Sequence, residues 1–389
     1  MRAVFHRGYV LVSSLYFVIQ AHLTASQLVL LGTAVSAALL LSDIPTGVWS
    51  DTIGRKWPLF LGHLFLAAGM VMTGVVTAFP LLLVTQLLWG LGWGLSSGAD
   101  VAWVTDELAR PDRIDRVLTA RARWELIGSG AGLVALGLLG WATSLATAVV
   151  VSGVAMAAVG VFVAIAFAED NFVPARPRRW RASLDVFRRG VALARRDHEI
   201  LLVLAATLVV NAAGKVTWIF PKRLLNLGFP NNQVLWYTAL MVLAFAVGAA
   251  GLRLVERRID GVGVARRTYA LSCFAGVGGL ILLAYAANAV VGSAGVLLAY
   301  GISFSVTRAV SVVWLNRRVP SDLRATAHSF LGQAEYVGEV IAGFGLAAVA
   351  QSAGIAVTLV TAAGLVALAG VMVGRSRADR PATHAVAAR

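Results

Sequence analysis

The chain consists largely of apolar segments of membrane-spanning length, and this feature constrains its fold more than any other. A helix needs about 20 mostly apolar residues to cross the hydrocarbon core of a bilayer. Because 59% of the residues are hydrophobic and only 13% are charged, the chain has too little polar surface for a soluble globule of its size. Twelve such segments follow one another, at 4–21, 27–49, 58–77, 80–104, 119–140, 143–168, 199–221, 232–255, 268–288, 291–315, 325–350 and 354–374. The sequence predicts an all-α membrane protein with twelve transmembrane helices in the lipid bilayer.

The positive charges are distributed unevenly along the chain. They concentrate on alternate connections between the apolar segments, namely the N-terminus, 55–56, 110–123, 176–196, 253–267, 317–324 and the C-terminal tail. The connections at 22–26, 77–80, 141–145, 287–291 and 351–353 carry no Lys or Arg. This asymmetry follows the positive-inside rule and predicts an integral protein of the cytoplasmic (inner) membrane with both termini in the cytoplasm. It also accounts for the net charge of +14 without a nucleic-acid partner.

One long polar connection, at 169–198, divides the chain into two parts of six apolar segments each. The sequence therefore predicts an N-terminal bundle at 1–168, a C-terminal bundle at 199–375 and a cytoplasmic tail at 376–389. Within the connection, apolar residues at helical spacing predict an amphipathic surface helix over 183–198.

The two predicted bundles repeat one pattern of residues. Asp112 precedes Glu125 by 13 residues, Asp322 precedes Glu335 by the same number, and a glycine follows each glutamate three residues later. Parallel internal repeats of this kind are typical of transporters built from two similar bundles. Chance similarity between helices rich in Ala, Val and Gly is the alternative. We expect two pseudo-symmetric six-helix bundles.

Sequence motifs for catalysis and for cofactor binding are absent. Cys273 is the single cysteine, and the six histidines have no metal-ligand spacing. The sequence contains no Walker A, GxSxG or HExxH pattern. We therefore expect no enzyme, no metal site and no cofactor, and we expect any transport to be driven by a gradient rather than by ATP hydrolysis.

Four carboxylates lie within predicted spans, where a charge costs about 2.5–3.5 kcal/mol at a helix centre. Burial raises the pKa of a carboxyl group and a nearby Arg lowers it, so a carboxylate that alternates between the two surroundings binds and releases a proton. The candidates for proton coupling, in order of preference, are Glu335, Asp43, Glu339 and Glu125. The alternative is a permanent ion pair, such as Arg308 with Glu335. Lys215 lies near the outer end of the seventh span, where its ammonium group could reach the membrane surface.

A polar stretch separates the second and third apolar segments. It contains Gly47, Asp51, Gly54, Arg55 and Lys56 in the pattern G-x-x-x-D-x-x-G-R-K. This pattern resembles the signature loop between spans 2 and 3 of the major facilitator superfamily, and the whole chain is similar to that family. The resemblance implies the two-bundle fold of the family and transport by alternating access, with the substrate in a central cavity.

The resemblance also implies a gate at the signature loop. Asp51 is expected to face the positive N-terminal end of span 11, near 320–325, and to hold the cytoplasmic side closed. Arg55 is expected to pair with Asp106 or Glu107 at the end of span 4. In the alternative interpretation, Arg55 and Lys56 only determine topology.

Two further stretches resemble the branch of the family that contains tetracycline-resistance-like and drug- or metabolite-efflux proteins. They run from Asp43 to Gly47 and from Gly92 to Asp100. The chain departs from related patterns at two places. Gln86 stands where many proton-coupled members have an Arg, and the glycine-rich run in span 5 lacks the proline that is common in antiporters.

Aromatic and polar residues within the spans are candidates for the substrate cavity. The candidates are Tyr16, Gln20, Gln86, Trp89, Trp93, Asn211, Trp218, Tyr300, Ser303 and Arg308. Trp and Tyr also collect in belts at membrane interfaces, which is the alternative for each aromatic residue. An aromatic, weakly charged cavity favours amphipathic or apolar organic compounds over sugars.

These observations predict a secondary active transporter that exports a small organic or amphipathic compound against proton entry. Its partners would be the small-molecule substrate, protons and the bilayer, and we expect a monomer. One alternative is proton symport or facilitated uptake of a small metabolite. An alternative of another class is a transporter-like sensor or a membrane enzyme.

Overall fold

The structure, a computed structural model, is helical wherever it describes regular elements. It describes residues 1–108, 113–172, 197–229, 232–258, 262–319 and 323–375, together with positions 188, 191, 192 and 195. Most of the amphipathic helix predicted over 183–198, the tail at 376–389 and residues 320–322 lie outside the described residues.

In residues 1–108 and 113–172, seven helices form the first bundle. They are α1 (Arg2–Ile19), α2 (Ala25–Ile53), α3 (Lys56–Val75), α4 (Phe79–Ser96), α5 (Ala99–Leu108), α6 (Ile114–Ala142) and α7 (Leu145–Ala166). Helix α2 begins with a capping box, in which Thr24 and Gln27 each accept a hydrogen bond from the other's main-chain N–H. Helices α4 and α5 are separated at Gly98, whose φ of 82° favours glycine. Helix α3 packs between α4 and α7, and α1 packs on α6 and α7.

In the part of 197–375 that the structure describes, seven further helices form the second bundle. They are α8 (His198–Gly214), α9 (Phe220–Asn226), α10 (Gln233–Arg258), α11 (Val262–Tyr285), α12 (Ala289–Val296), α13 (Ser305–Arg318) and α14 (Arg324–Arg375). A 3-10 turn, Lys215–Ile219, joins α8 to α9, and a π-helical segment, Leu297–Phe304, joins α12 to α13. Helix α14 changes direction at Gly354, where φ is 82°. It packs on α8 and α11.

Among the described residues, ten helical stretches are long and apolar enough to cross a membrane. Each of the twelve predicted spans coincides with a helix, but α1 is not among the ten, and one stretch, Thr326–Arg375, contains the last two predicted spans. The all-helical membrane fold is confirmed, whereas the count of twelve spans stays a prediction.

Most of the signature pattern is helical rather than a loop. Helix α2 continues through Gly47 and Asp51 to Ile53, so only Gly54 and Arg55 separate it from α3. Gly54 has a φ of 131°, a conformation that residues with a Cβ atom rarely adopt. The sharp reversal at Gly54 lets two long helices meet almost without a loop.

The two bundles meet along α2 with α14 and along α6 with α10. We call the side of the molecule at which α1 begins the Arg2 face, and the side at which α1 ends the Leu23 face. At the Leu23 face, Nζ of Lys222 donates to the main-chain oxygen of Leu23 at 2.7 Å. Phe17 stacks on Trp218 from the other bundle, with ring centroids 6.4 Å apart. These contacts close the Leu23 face.

Candidate functional site: a cavity between the two bundles

A cavity of about 550 Å³ lies between the bundles. It extends from Arg2 and Arg7, at the start of α1, to Lys215 and Trp218, beside the closed Leu23 face. A second cavity of about 410 Å³ adjoins it and shares Arg308 and other lining residues with it. Their size and their mixed polar and aromatic lining suit a small organic molecule.

Ten residues that the sequence singled out line the larger cavity, namely Gln86, Trp89, Trp93, Glu125, Asn211, Trp218, Tyr300, Arg308, Glu335 and Glu339. Tyr16, Gln20 and Ser303 are not among its lining residues. The hydroxyl group of Tyr16 instead donates to the main-chain oxygen of Val76 at 2.9 Å. Ser303 is fully buried against Gly276. Their positions along the helices could be predicted from the sequence, but the direction in which each side chain points could not.

An aromatic cluster forms one wall of the cavity. The ring centroid of His6 lies 4.2 Å from that of Trp93 and 5.2 Å from that of Trp89. Tyr9 stacks on Trp89 at 6.0 Å. Within the described part of the chain, Nε2 of His6 and Nε1 of Trp89 are buried without a hydrogen-bond partner. The wall therefore combines flat apolar surface with two polar atoms that a ligand could engage. Sequence reasoning missed His6 and Tyr9, although both lie on one face of α1.

Gln86 belongs to a buried hydrogen-bond network behind this wall. Its Nε2 atom donates to the hydroxyl groups of Tyr9 at 3.1 Å, Thr73 at 3.3 Å and Thr85 at 3.2 Å. Tyr9 and Thr73 are themselves 3.2 Å apart. The amide of Gln86 and its hydroxyl partners are all uncharged, so this position carries no charge. The hydrogen bonds hold Tyr9 in place beside the cavity.

The cavity is more charged than the sequence suggested. Its lining includes four cationic residues, Arg2, Arg7, Lys215 and Arg308, and three carboxylates, Glu125, Glu335 and Glu339. The expectation of a weakly charged cavity is therefore corrected. The two signs nearly balance, so ligand groups of either charge have potential partners there.

Lys215 occupies the closed end of the cavity, which corrects its expected position at the membrane surface. Only 6% of its side chain is exposed, and its Nζ atom lies 2.7 Å from Oε2 of Glu339. The same Nζ donates to Oγ of Ser36 at 2.6 Å and to the main-chain oxygen of Gly32 at 3.0 Å. Ser36 also donates to Glu339. Because Gly32 and Ser36 belong to α2, these hydrogen bonds join the ion pair of the second bundle to the first bundle.

The other three candidate carboxylates have different surroundings. Glu335 is 11% exposed, and its Oε2 lies 3.4 Å from the guanidinium group of Arg308, which is 71% exposed. Glu125 is half exposed and lies 3.8 Å from Arg121, one turn earlier on α6. Asp43 does not line the cavity and accepts a hydrogen bond from Gln333 of the second bundle at 2.8 Å. Glu335 and Glu339 are thus the two carboxylates that combine burial with exposure to the cavity.

The signature residues form a separate ionic cluster at the Arg2 face. The guanidinium group of Arg55 pairs with Asp51, one turn earlier, and with Asp106 at 3.2 Å. Burial by itself lowers the pKa of Arg55, but hydrogen bonds and charges from the two carboxylates outweigh it and raise the pKa above its ordinary value. Residues 320–322, part of the expected contact of Asp51 with the start of span 11, lie outside the described residues.

Glu169, which follows α7, completes this cluster. Its carboxylate accepts hydrogen bonds from the main-chain N–H groups of Arg55 and of Lys56, the latter at 3.1 Å. These groups belong to the N-terminal end of α3, where unsatisfied donors and the helix dipole favour an anion. The side chain of Glu169 also fills the space beside Gly54. Sequence reasoning missed this residue because it lies more than 110 positions from the signature pattern.

A second buried ionic cluster lies within the second bundle. Glu199 of α8 is fully buried, and its Oε1 lies 3.4 Å from Arg266 of α11, which is 8% exposed. The indole N–H of Trp314 donates to Oε2 of Glu199 at 3.1 Å. The cluster ties α8, α11 and α13 together away from the cavity.

Solved structures with the same fold are transporters, at low sequence identity. The nucleoside transporter NupG matches with a TM-score of 0.75 and 15% identity over 97% of each chain. The peptide transporter POT in complex with sulfate gives 0.69 and 14%, over 96% of this chain and 92% of that one. A bacterial homologue of the human lysosomal transporter Spinster, in an inward-facing and unoccupied conformation, gives 0.71 and 13%, over 96% and 93%.

Sequence comparison assigns the family. No match is found among curated protein sequences. The family model for the Major Facilitator Superfamily, however, matches residues 5–343, which is most of the chain. Together with the all-helical two-bundle fold and its central cavity, this match shows that the chain belongs to the Major Facilitator Superfamily and is a membrane transporter rather than an enzyme.

Proposed function

We propose that this transporter couples the movement of a small organic compound to that of protons, by exposing its cavity alternately to the two sides of the inner membrane. The observation that carries the proposal is the pair of carboxylates in the cavity, Glu335 and Glu339. Each is held by a cation from another element, Arg308 and Lys215 respectively. With both termini in the cytoplasm, the Arg2 face would be the cytoplasmic one.

The physical basis of the coupling is the cost of an unpaired buried charge. Removing one partner of a buried ion pair costs about 3–5 kcal/mol, because it leaves the other charge uncompensated. Glu339 pairs with a residue that also bonds to α2 of the other bundle, so a movement that separates the bundles disturbs the pair. Protonation removes the charge of the carboxylate, and the ammonium group of Lys215 then needs another anion. A change of state can therefore be linked to proton binding at Glu339 and, through Arg308, at Glu335.

The direction of coupling depends on the charge of the substrate. Export against proton entry, which the sequence predicted, is supported by the aromatic cluster of His6, Trp89 and Trp93. Aromatic faces attract organic cations, and such a cation would compete with a proton for Glu335. Competition of this kind gives antiport, in which the proton and the compound move in opposite directions.

Proton symport is the second candidate, and the pair of Lys215 and Glu339 favours it. A proton on Glu339 would release the ammonium group of Lys215, which could then hold an anionic group of the substrate. The proton and the compound would then be bound together and would move in the same direction. Because Lys215 is the more deeply buried cation, we favour symport over antiport.

The test uses purified protein in proteoliposomes with an imposed pH gradient. Compound flux and internal pH are recorded together for benzoate, its neutral analogue benzamide and the cation benzylamine. Gradient-driven movement of compound and proton in one direction supports symport, and opposed movement supports export by antiport. Flux that does not respond to the gradient would contradict proton coupling.

Variants of the carboxylates refine this test. Glu335→Gln and Glu339→Gln should each abolish gradient-driven accumulation while leaving exchange of compound across the membrane. Glu125→Gln serves as the control, since Glu125 is half exposed and its nearest cation, Arg121, lies 3.8 Å away. Intact accumulation in both Glu335→Gln and Glu339→Gln would exclude them as the proton sites.

A further inference from the structure

The environment of Lys215 already has the chemistry of a carboxylate-binding site. Two donors, Nζ of Lys215 and Oγ of Ser36, converge on the carboxylate of Glu339. Charge-assisted hydrogen bonds of this kind are stronger than those between neutral groups. A free carboxylate placed at the same point would find the same two donors. Glu339 is thus an internal occupant of an anion site that faces the cavity.

We propose that Lys215 and Ser36 bind the anionic group of the transported compound, and that this group replaces Glu339 when Glu339 takes up a proton. The inference rests on the proposed proton coupling and adds the substrate class to it. The compound is a small organic acid that carries an aromatic or apolar body.

The charges around the site support an exchange of this kind. Besides Lys215 and Glu339, the charged side chains of Arg2, Arg7, Glu125, Arg308 and Glu335 line the same cavity, together with His6, Tyr9, Tyr237, Tyr300 and Tyr336. Arg308 holds Glu335, and Arg121 pairs with Glu125. Glu339 is therefore the carboxylate that compensates Lys215. An unpaired ammonium group at this depth would be costly, so Lys215 needs either Glu339 or an anion from the ligand. Only one of the two fits between Lys215 and Ser36 at a time.

The aromatic residues in the rest of the cavity can contact the apolar body of the compound. Tyr9 and Trp89 lie on the same cavity as Lys215, and Trp218 and Phe17 border its closed end. Offset or edge-to-face contacts with such rings add about 0.5–1.5 kcal/mol beyond the burial of apolar area. Nε2 of His6 and Nε1 of Trp89, which have no hydrogen-bond partner among the described residues, offer additional hydrogen bonds to a substituted ring.

The exchange also determines that the proton and the compound move in the same direction. In the substrate-free state Glu339 is ionised and Lys215 is occupied. In the loaded state Glu339 carries the proton and the ligand carries the negative charge, so the net charge of the site is unchanged. The proton and the anion bind together, and they cross the membrane together.

Binding in detergent solution, without any gradient, tests the inference separately from transport. The readout is the fluorescence of the tryptophans that line the cavity, titrated with benzoate, benzamide and benzylamine at pH 5.5 and 7.5. The wild-type protein should bind benzoate more tightly at the lower pH. Glu339→Gln should bind benzoate at least about tenfold more tightly than the wild type at pH 7.5, because Lys215 no longer has an internal partner. The pH dependence should disappear.

Three controls make the result specific. Lys215→Gln in the Glu339→Gln background should remove the gain in affinity, whereas Lys222→Gln in the same background should retain it, since Lys222 bonds to Leu23 and does not line the cavity. Benzamide and benzylamine should show no gain. Acetate, which lacks the ring, should bind at least about tenfold less tightly than benzoate.

A gain of affinity cannot arise from misfolding, so the test does not depend on the stability of the variants. Equal benzoate affinity in Glu339→Gln and the wild type, or an equal gain for benzamide, would overturn the inference. A protein that passes this binding test but shows no response to a pH gradient in proteoliposomes would instead contradict the proposed coupling.

Discussion

The Nζ atom of Lys215, in the second bundle, lies 3.0 Å from the main-chain oxygen of Gly32 in the first. The same atom forms the ion pair with Glu339 inside the cavity. One of the contacts between the bundles at the closed end of the cavity and the ion pair of the candidate site thus share one ammonium group. Opening the Leu23 face therefore requires a rearrangement of the site, which is the physical link that alternating access needs.

The first prediction concerns the close packing of α2 on α14 beside this contact. A Cβ atom at Gly343 would collide with Thr33 of the other bundle, whereas a Cβ atom at Gly345 would meet nothing within 4 Å. Gly343→Val should therefore disfavour closure of the Leu23 face, and Gly345→Val should not. Overpacking costs about 1–3 kcal/mol, which corresponds to roughly 5- to 150-fold in the populations of the two states.

The measurement uses the accessibility of an added cysteine. Leu23→Cys places a thiol at the closed face, where Leu23 is buried, and the native Cys273 is also buried. Labelling of this thiol by a membrane-impermeant maleimide should become faster with Gly343→Val and should stay unchanged with Gly345→Val. Identical labelling rates in the two variants would contradict the role of this contact.

The sequence predicted the helices far better than the site. Apolar segments of membrane length can be recognised from the order of residues along the chain alone, and each predicted span coincides with a helix. The depth of Glu335 and Glu339 followed from counting residues along one helix, and both line the cavity. The identification of the family likewise followed from local spacing between Gly47 and Lys56.

The remaining features of the site depend on contacts between residues far apart in the sequence, which no local pattern encodes. The sequence suggested that Lys215 reaches the membrane surface, but the 3-10 turn that contains it directs its side chain toward Gly32, more than 180 positions away. The pairing of Glu169 with the start of α3 spans more than 110 positions. The orientation of its helix about the helix axis directs Ser303 toward Gly276 rather than toward the cavity.

The second prediction separates the two glycines of the signature pattern. Gly54 has a φ of 131°, and a Cβ atom there would lie 2.7 Å from the carboxylate oxygens of Glu169. Gly47 lies within α2, and a Cβ atom there would meet nothing within 4 Å. Gly54→Ala should lower the free energy of unfolding by about 1–3 kcal/mol through backbone strain. Gly47→Ala should leave stability unchanged or raise it by up to about 1 kcal/mol.

Thermal unfolding of the purified protein in detergent measures both changes. Glu169→Ala adds a second comparison, because it removes the acceptor for the N–H groups of Arg55 and Lys56 and should cost about 0.5–2 kcal/mol. Equal stability of Gly54→Ala and Gly47→Ala would show that the reversal between α2 and α3 carries no strain.

The third prediction concerns the gate at the Arg2 face. Asp51→Asn removes the negative charge that is expected to face the N-terminal end of α14 when this face closes, so it should weaken the closed state. The ion pair of Asp51 with Arg55 lies within the first bundle. A cysteine added at the cavity mouth should therefore react faster in Asp51→Asn than in the parent protein. Asp115→Asn, an exposed change in the first turn of α6, is the control. Unchanged reactivity in Asp51→Asn would remove the basis for assigning a gate to this residue.

The fourth prediction concerns the buried cluster of the second bundle. Glu199 is fully buried between Arg266 and the indole N–H of Trp314. Glu199→Ala should lower the free energy of unfolding by about 3–5 kcal/mol, because it removes the carboxylate from a buried pair. Glu125→Ala, at a half-exposed pair with Arg121, should cost no more than about 1 kcal/mol.

Denaturant or thermal unfolding in detergent compares the two variants, and benzoate binding by the folded fraction distinguishes stability from function. Because the Glu199 cluster lies away from the cavity, the protein that stays folded in Glu199→Ala should bind benzoate with the same affinity and pH dependence as the parent. A loss of affinity without a loss of stability would mean that α8 and α11 transmit the state of Glu199 to Lys215. The cluster would then belong to the transport machinery rather than to the scaffold that positions it.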